Sequence, residues 1–199
     1  MNPKRRPELL ILDGATGAGK SLLLEWLRQE YSDVEVGTKL TTRKRREGEQ
    51  AWEFRYVKSI PKRYSSFAFS SVGNYYAIDY TALSKAVHSG LTYALSCVDR
   101  RIVKRLAAEF NSLIFYVYRP PIDGALDQIL ISRRSADRRD SLARRDETLM
   151  IAEHYVENIG YYNHVLLNLG SKENLFGQLS RILLMHGVER KPDASIKSL

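Results

Sequence analysis

Eight residues constrain this chain more than any others: Gly14, Ala15, Thr16, Gly17, Ala18, Gly19, Lys20 and Ser21. They fill the pattern G-x-x-x-x-G-K-[S/T] at every fixed position. An apolar run at 9–12 precedes them, and Leu22, Leu23, Leu24, Trp26 and Leu27 follow at helical spacing. Strand, glycine-rich turn and helix, in that order, is the context in which this pattern cradles phosphate. Glycine lets backbone N–H groups turn inward around phosphate oxygens, and the helix N-terminus adds partial positive charge. Lys20 can reach β- and γ-phosphates as a point charge, and Ser21 offers a hydroxyl to Mg²⁺. Nucleotide binding is therefore expected across residues 14–21. The loop alone does not separate a kinase from a GTPase, a motor or an ATPase.

The rest of the chain alternates in the same way. Short apolar runs at 9–12, 34–38, 92–98, 113–118 and 164–168 read as strands. Helical patterns at 21–31, 81–88, 101–110, 122–132, 138–159 and 172–185 lie between and after them. Such alternation predicts an α/β fold whose parallel sheet is covered on both faces. Residues 49–71, rich in aromatic and polar side chains, read as an irregular, partly β insert. A length of 199 residues suits one domain, taken as 1–187, with a loose tail at 188–199.

Hydrophobic residues make up 44% and charged residues 27%, which excludes disorder over most of the chain. The apolar run at 9–12 is too short for a signal-peptide core or a membrane span, so a cytoplasmic protein with no membrane partner is expected. Cys97 is the single cysteine, so no internal disulfide can form, and its apolar setting reads as a buried thiol. The net charge of +8 favours anionic partners. Its basic groups at 43–46, 100–105 and 133–145 could be solvated faces or phosphate contacts. No nucleic-acid-binding motif accompanies them, so phosphorylated small molecules rather than nucleic acid are the expected partners.

From the phosphate loop onward the order of motifs resembles the guanylate kinase family over roughly residues 9–186. Thr41-Thr42-Arg43-Lys44-Arg45-Arg46-Glu47-Gly48-Glu49 is similar to that family's T-T-R-x-x-R-x-G-E. Gly73-Asn74-Tyr75-Tyr76 is similar to its G-N-Y-Y, and the arginine-rich stretch 132–144 falls at its lid. The resemblance implies a P-loop three-layer fold with a central parallel sheet. A small mixed β acceptor-binding insert would lie at about 39–80 and a mobile lid at about 132–146. It implies ATP and Mg²⁺ as cofactors and a phosphorylated small molecule as acceptor. By the same resemblance Lys20, Arg133, Arg144 and Asp99 carry catalysis, and Asn168 lies beside the adenine. Arg43, Arg46 and Tyr76 would hold the acceptor phosphate, a task that suits the planar guanidinium fork. Asp99 reads equally as an N-cap for the helix that follows, and Tyr75 and Tyr76 as strand aromatics.

The departures from the family pattern gather where guanine is read. Lys39 stands in place of a serine, Phe67 falls where a glutamate would meet the base, and Ile78 replaces a small hydroxyl residue. Phe54 replaces a tyrosine of the insert, and Arg100-Arg101 replaces a glycine segment. Polar base groups facing Phe and Ile lose roughly 10²-fold in discrimination. Lys39 and Arg100 make the site more positive, which points to a smaller or more anionic acceptor than GMP. The ribose 1,5-bisphosphate phosphokinases resemble guanylate kinase in layout and carry similar residues at these positions. Three readings stand: a GMP-type kinase, a ribose 1,5-bisphosphate phosphokinase making phosphoribosyl pyrophosphate, and a non-catalytic guanylate-kinase-like binding module.

Overall fold

A computed structural model describes residues 6–45, 49–71, 73–119, 155, 157 and 159–191. Strand β1 (Leu9–Asp13) explains most of the architecture, because all five of its residues are buried. Both of its faces need apolar cover. Leu10 and Leu12 pack with Leu23, Leu24 and Leu27 of α1 (Lys20–Glu30) and with Leu175, Leu179 and Leu183 of α4 (Lys172–Met185). Leu9 and Ile11 turn the other way, onto Leu83 and Ala86 of α2 (Tyr80–His88) and Ile102, Val103 and Leu106 of α3 (Arg100–Glu109). Each such leucine contributes about 1.5–3 kcal/mol by leaving water. The result is a sheet between two helical layers.

That sheet has five strands in the order β2-β7-β1-β8-β9, all parallel, with β2 (Val34–Val36), β7 (Thr92–Ser96), β8 (Ser112–Tyr118) and β9 (His164–Leu167). The strand expected at 34–38 stops early, at Val36. Gly37 lies against the Tyr93 ring so closely that a Cβ there would sit 2.4 Å from the phenol oxygen. Beyond this point the chain leaves the main sheet.

It enters a second, mixed sheet of order β4-β3-β6-β5: β3 (Lys39–Thr41), β4 (Phe54–Tyr56), β5 (Ala68–Ser71) and β6 (Asn74–Ile78). β3 pairs with β4 in parallel and with β6 antiparallel, and β5 pairs antiparallel with β6. Side chains alternate along a strand, so register decides which residues share a face. Lys39 aligns with Phe54 and Ile78, Thr41 with Tyr56 and Tyr76, and Phe69 with Tyr76. Leu40 and Ala77 point the opposite way and pack with Tyr64 in a small core of their own. The aromatic, lysine-bearing face looks toward the phosphate loop.

The helix expected at 122–132, all of that expected at 138–159 except residues 155, 157 and 159, the lid and residues 192–199 lie outside the described residues. The first residues of the expected tail are fixed: Val188 is buried and Arg190 pairs with Glu30 of α1. No helix among the described residues is long and apolar enough to cross a membrane.

Candidate active site

The phosphate loop leaves β1 at Gly14 and enters α1 at Lys20. The side chain of Asp79 caps α2, that of Asp99 caps α3 and that of Ser171 caps α4, whereas α1 begins at Gly19 with no side-chain cap. Its first N–H groups are thus left for an anion. Gly19 holds φ +113, and a Cβ there would come 2.8 Å from the Asn168 amide nitrogen. The Lys20 ammonium donates to the carbonyls of Gly14 and Ala15, folding over the loop.

The loop forms one wall of a cleft and the mixed sheet forms the other. Gly14, Thr16, Gly17, Gly19, Lys20 and Ser21 line the first wall. Lys39, Arg43, Phe54, Phe69 and Tyr76 line the second, and Ser96, Cys97 and Val98 close the floor. Thr16 and Ser21 offer hydroxyls and Lys20 a cation, which suits a nucleotide triphosphate with Mg²⁺ bound through hard oxygen donors.

The second wall is charged and aromatic. Arg43 is 7% exposed, and its guanidinium grips both Glu49 carboxylate oxygens while lying 4.5 Å from the Phe54 ring centroid. Burial opposes that charge, but Glu49 outweighs burial and holds the arginine above its ordinary value. Tyr56 donates to the same carboxylate, and burial together with Glu49 pushes its phenol up to about 12. Lys39 donates to the Ser96 hydroxyl at 2.7 Å and stands 5.0 Å over the Phe54 ring. Burial lowers its pKa, with the Glu53 carboxylate working against the shift. Tyr76 stacks on Phe69 with ring centroids 5.5 Å apart.

No protein-family profile matches the chain. Its curated relatives include the guanylate kinase of Pseudoalteromonas translucida, 26% identical over 170 residues, covering 82% of this chain and 80% of that protein. The guanylate kinase of Rhizobium meliloti is 25% identical over 171 residues, covering 82% and 76%. That of Prochlorococcus marinus is 23% identical over 176 residues, covering 83% and 91%. A crystal structure of guanylate kinase from Anaplasma phagocytophilum shares the fold, with a TM-score of 0.58 over 96% of this chain and 89% of that one, at 16% identity. The chain is thus similar to guanylate kinases in sequence over most of its length, and it shares their fold.

Against that family's layout, the structure brings Lys20, Ser21, Lys39, Arg43 and Tyr76 to one cleft. Ala15 and Ala18 shape the loop from behind. Arg46, Arg133 and Arg144 fall outside the described residues. Asn168 is buried behind the loop: its amide donates to the Ala18 carbonyl at 2.8 Å, so it braces the phosphate cradle. Asp99 accepts from the N–H groups of Arg101 and Ile102 and pairs with the Arg101 guanidinium at 2.9 Å. Burial opposes its charge, yet these donors hold it below the usual carboxylate range. Its carboxylate serves α3 and is not among the groups that line the cleft. Arg100 lies near Tyr161 and Tyr162, where its charge opposes the upward shift that burial gives both phenols.

Three residues stand out only in the structure. Ser96 anchors Lys39. Asp13 is buried at the end of β1, accepting from the Gly14 N–H and from the Tyr162 hydroxyl, each at 2.6 Å. Glu53 accepts a hydrogen bond from Ser21. Asp13 had a sequence signal, a carboxylate ending an apolar run just before the loop. The other two had none, because their partners are 57 and 32 residues away.

Proposed function

We propose that the chain is an ATP-dependent kinase that moves the γ-phosphoryl group of ATP onto a phosphate already carried by a small acceptor, in the manner of GMP going to GDP. The observation that carries this reading is the shared cleft: Lys20 and Ser21 on one wall face Lys39 and Arg43 on the other. An acceptor phosphate on Arg43 would thus lie opposite the loop that holds the donor phosphates.

An acceptor phosphate oxygen attacks the γ-phosphorus, the bond to the β,γ-bridging oxygen breaks, and ADP leaves with that electron pair. The attacking oxygen is largely deprotonated near pH 7, since a phosphate monoester has its second pKa at about 6. The step therefore requires no general base, which agrees with an Asp99 committed to α3. Catalysis rests on positioning and charge stabilisation. Lys20 would hold the β- and γ-phosphates, and Arg43, Arg46 and Tyr76 the acceptor phosphate. Arg133 and Arg144 would neutralise charge on the group in flight as the lid excludes water. Ser21 would hold Mg²⁺, which supplies charge neutralisation across the donor phosphates.

Lys39 favours a second reading of the acceptor, ribose 1,5-bisphosphate. Its ammonium lines the acceptor side where a neutral base would otherwise lie. Phe67 is stacked on Tyr80 and Ile78 is buried in the core, so neither presents a polar group to a base edge. ADP release with Mg²⁺–ATP, measured against GMP, dGMP, AMP, UMP, CMP and ribose 1,5-bisphosphate, separates the readings. Turnover with none of them, alongside ATP binding, would favour a binding module. Lys39→Ser is expected to lower kcat/KM for a bisphosphorylated acceptor roughly 10–100-fold more than for GMP, the size of a charge-assisted hydrogen bond. Equal losses on both would place Lys39 beyond the acceptor's reach.

A further inference from the structure

Ser21 and Glu53 meet across the cleft. The serine opens the first turn of α1, and the glutamate lies just before β4 in the other sheet. The Ser21 hydroxyl donates to Glu53 Oε1 at 2.7 Å, and both residues line the cleft beside Lys20. The position of Glu53 is set by backbone: its carbonyl accepts from the Lys39 N–H and its N–H donates to the Gln50 carbonyl, both at 3.2 Å. The carboxylate is therefore presented to the phosphate loop by the acceptor sheet itself.

A carboxylate at that place is costly for bare triphosphate, because it puts negative charge beside the loop that must receive negative charge. It becomes favourable once a divalent cation accompanies the nucleotide. Mg²⁺ prefers oxygen ligands and usually keeps several waters, taking only one or two protein groups besides the substrate phosphates. A serine hydroxyl and a carboxylate in contact fit that need. Among the described residues no group of three His, Cys, Asp or Glu could hold a metal alone, which suits a cation delivered with the nucleotide. The other carboxylates nearby have partners of their own: Asp99 is held by Arg101 and the α3 N-terminus, Glu49 by Arg43 and Tyr56, and Asp13 by the Gly14 N–H and the Tyr162 hydroxyl.

We propose that Glu53 is the acidic partner of Ser21 at the divalent-cation site and makes nucleotide binding depend on the cation. This rests on the ATP-binding reading above. It also gives the acceptor sheet a contact with the donor side, since Glu53 is joined through backbone to Lys39 of β3.

The test compares ATP affinity by calorimetry in Mg²⁺ and in EDTA for the intact chain, Glu53→Gln and Glu53→Asp. A Mn²⁺ titration followed by electron paramagnetic resonance, with a non-hydrolysable ATP analogue present, provides a second readout. Glutamine keeps the size and an oxygen for Ser21 while removing the charge. Glu53→Gln is expected to bind metal-free ATP as tightly as wild type or more tightly, and Mg²⁺–ATP more weakly. The ratio of the two affinities shrinks about tenfold or more, the scale of one unit charge at close range in a partly solvated cleft. Glu53→Asp recovers part of the ratio, and Mn²⁺ affinity follows the same order. An unchanged ratio, or a parallel loss of both affinities, overturns the role of Glu53 while leaving the kinase reading in place. Absence of ATP binding by the wild-type chain with and without Mg²⁺ overturns both.

Discussion

Lys20→Ala is expected to lower phosphoryl transfer about 10³-fold while leaving the fold intact, the upper range for removing one preorganised charge-stabilising group. The structure separates the two effects. α1 is anchored through Leu23, Leu24, Trp26 and Leu27, all buried, and Lys20 takes no part in that core. Alanine is also the residue best suited to a helix, so the substitution costs the first turn little. What disappears is a cation that folds over the Gly14 and Ala15 carbonyls and lines the cleft. Arginine should not restore it, because a planar fork cannot replace a compact ammonium inside a loop closed around it. ADP release should fall to near background with every acceptor, while the melting temperature stays within a few degrees of wild type. Wild-type turnover by this variant would remove the phosphate loop from the chemistry.

The same separation explains what the sequence made legible. The main sheet announces itself because β1 is buried on both faces, so a run of apolar residues cannot be read as anything solvated. The phosphate loop is equally legible, since its residue types are fixed by local backbone geometry. The second sheet is harder to read. β3 and β4 have three residues each, and the face they share mixes Lys39 and Thr41 with Phe54 and Tyr56 because it looks into a charged cleft. Hydrophobic period carries little information on such a face. Glycine is needed at position 37 for a tertiary reason, the Tyr93 ring, that no neighbouring residue signals. Glu49 was visible as part of a motif, but its grip on Arg43 and Tyr56 depends on β3 and β4 lying side by side. Asp99 was legible in both of its readings, and the side-chain geometry agrees with the capping one.

Gly14→Ala should have the largest effect on stability among single substitutions in the loop. Gly14 adopts φ +135, a region that residues with a Cβ rarely enter, at a cost of about 1–3 kcal/mol. A Cβ there would also lie 2.3 Å from the Val117 carbonyl oxygen. That oxygen cannot give way cheaply. Val117 belongs to β8, which is paired on one side with β1 and on the other with β9, and Val117 itself is in register with Leu166. Relief must come from moving Gly14, and Gly14 is pinned by the Asp13 carboxylate on its N–H and by Lys20 on its carbonyl. A loss of about 3 kcal/mol or more is expected, which lowers the melting temperature of a domain this size by roughly 6–12 °C. Nucleotide affinity should fall with it, because Asp13 and Lys20 are displaced together. Gly73→Ala is the control: φ is +68, but nothing lies within 4 Å of the added carbon, so only the left-handed cost of about 1–2 kcal/mol remains. Thermal melts that drop no further for Gly14→Ala than for Gly73→Ala would mean that the contact between the phosphate loop and β8 yields more easily than its pairing on both sides implies.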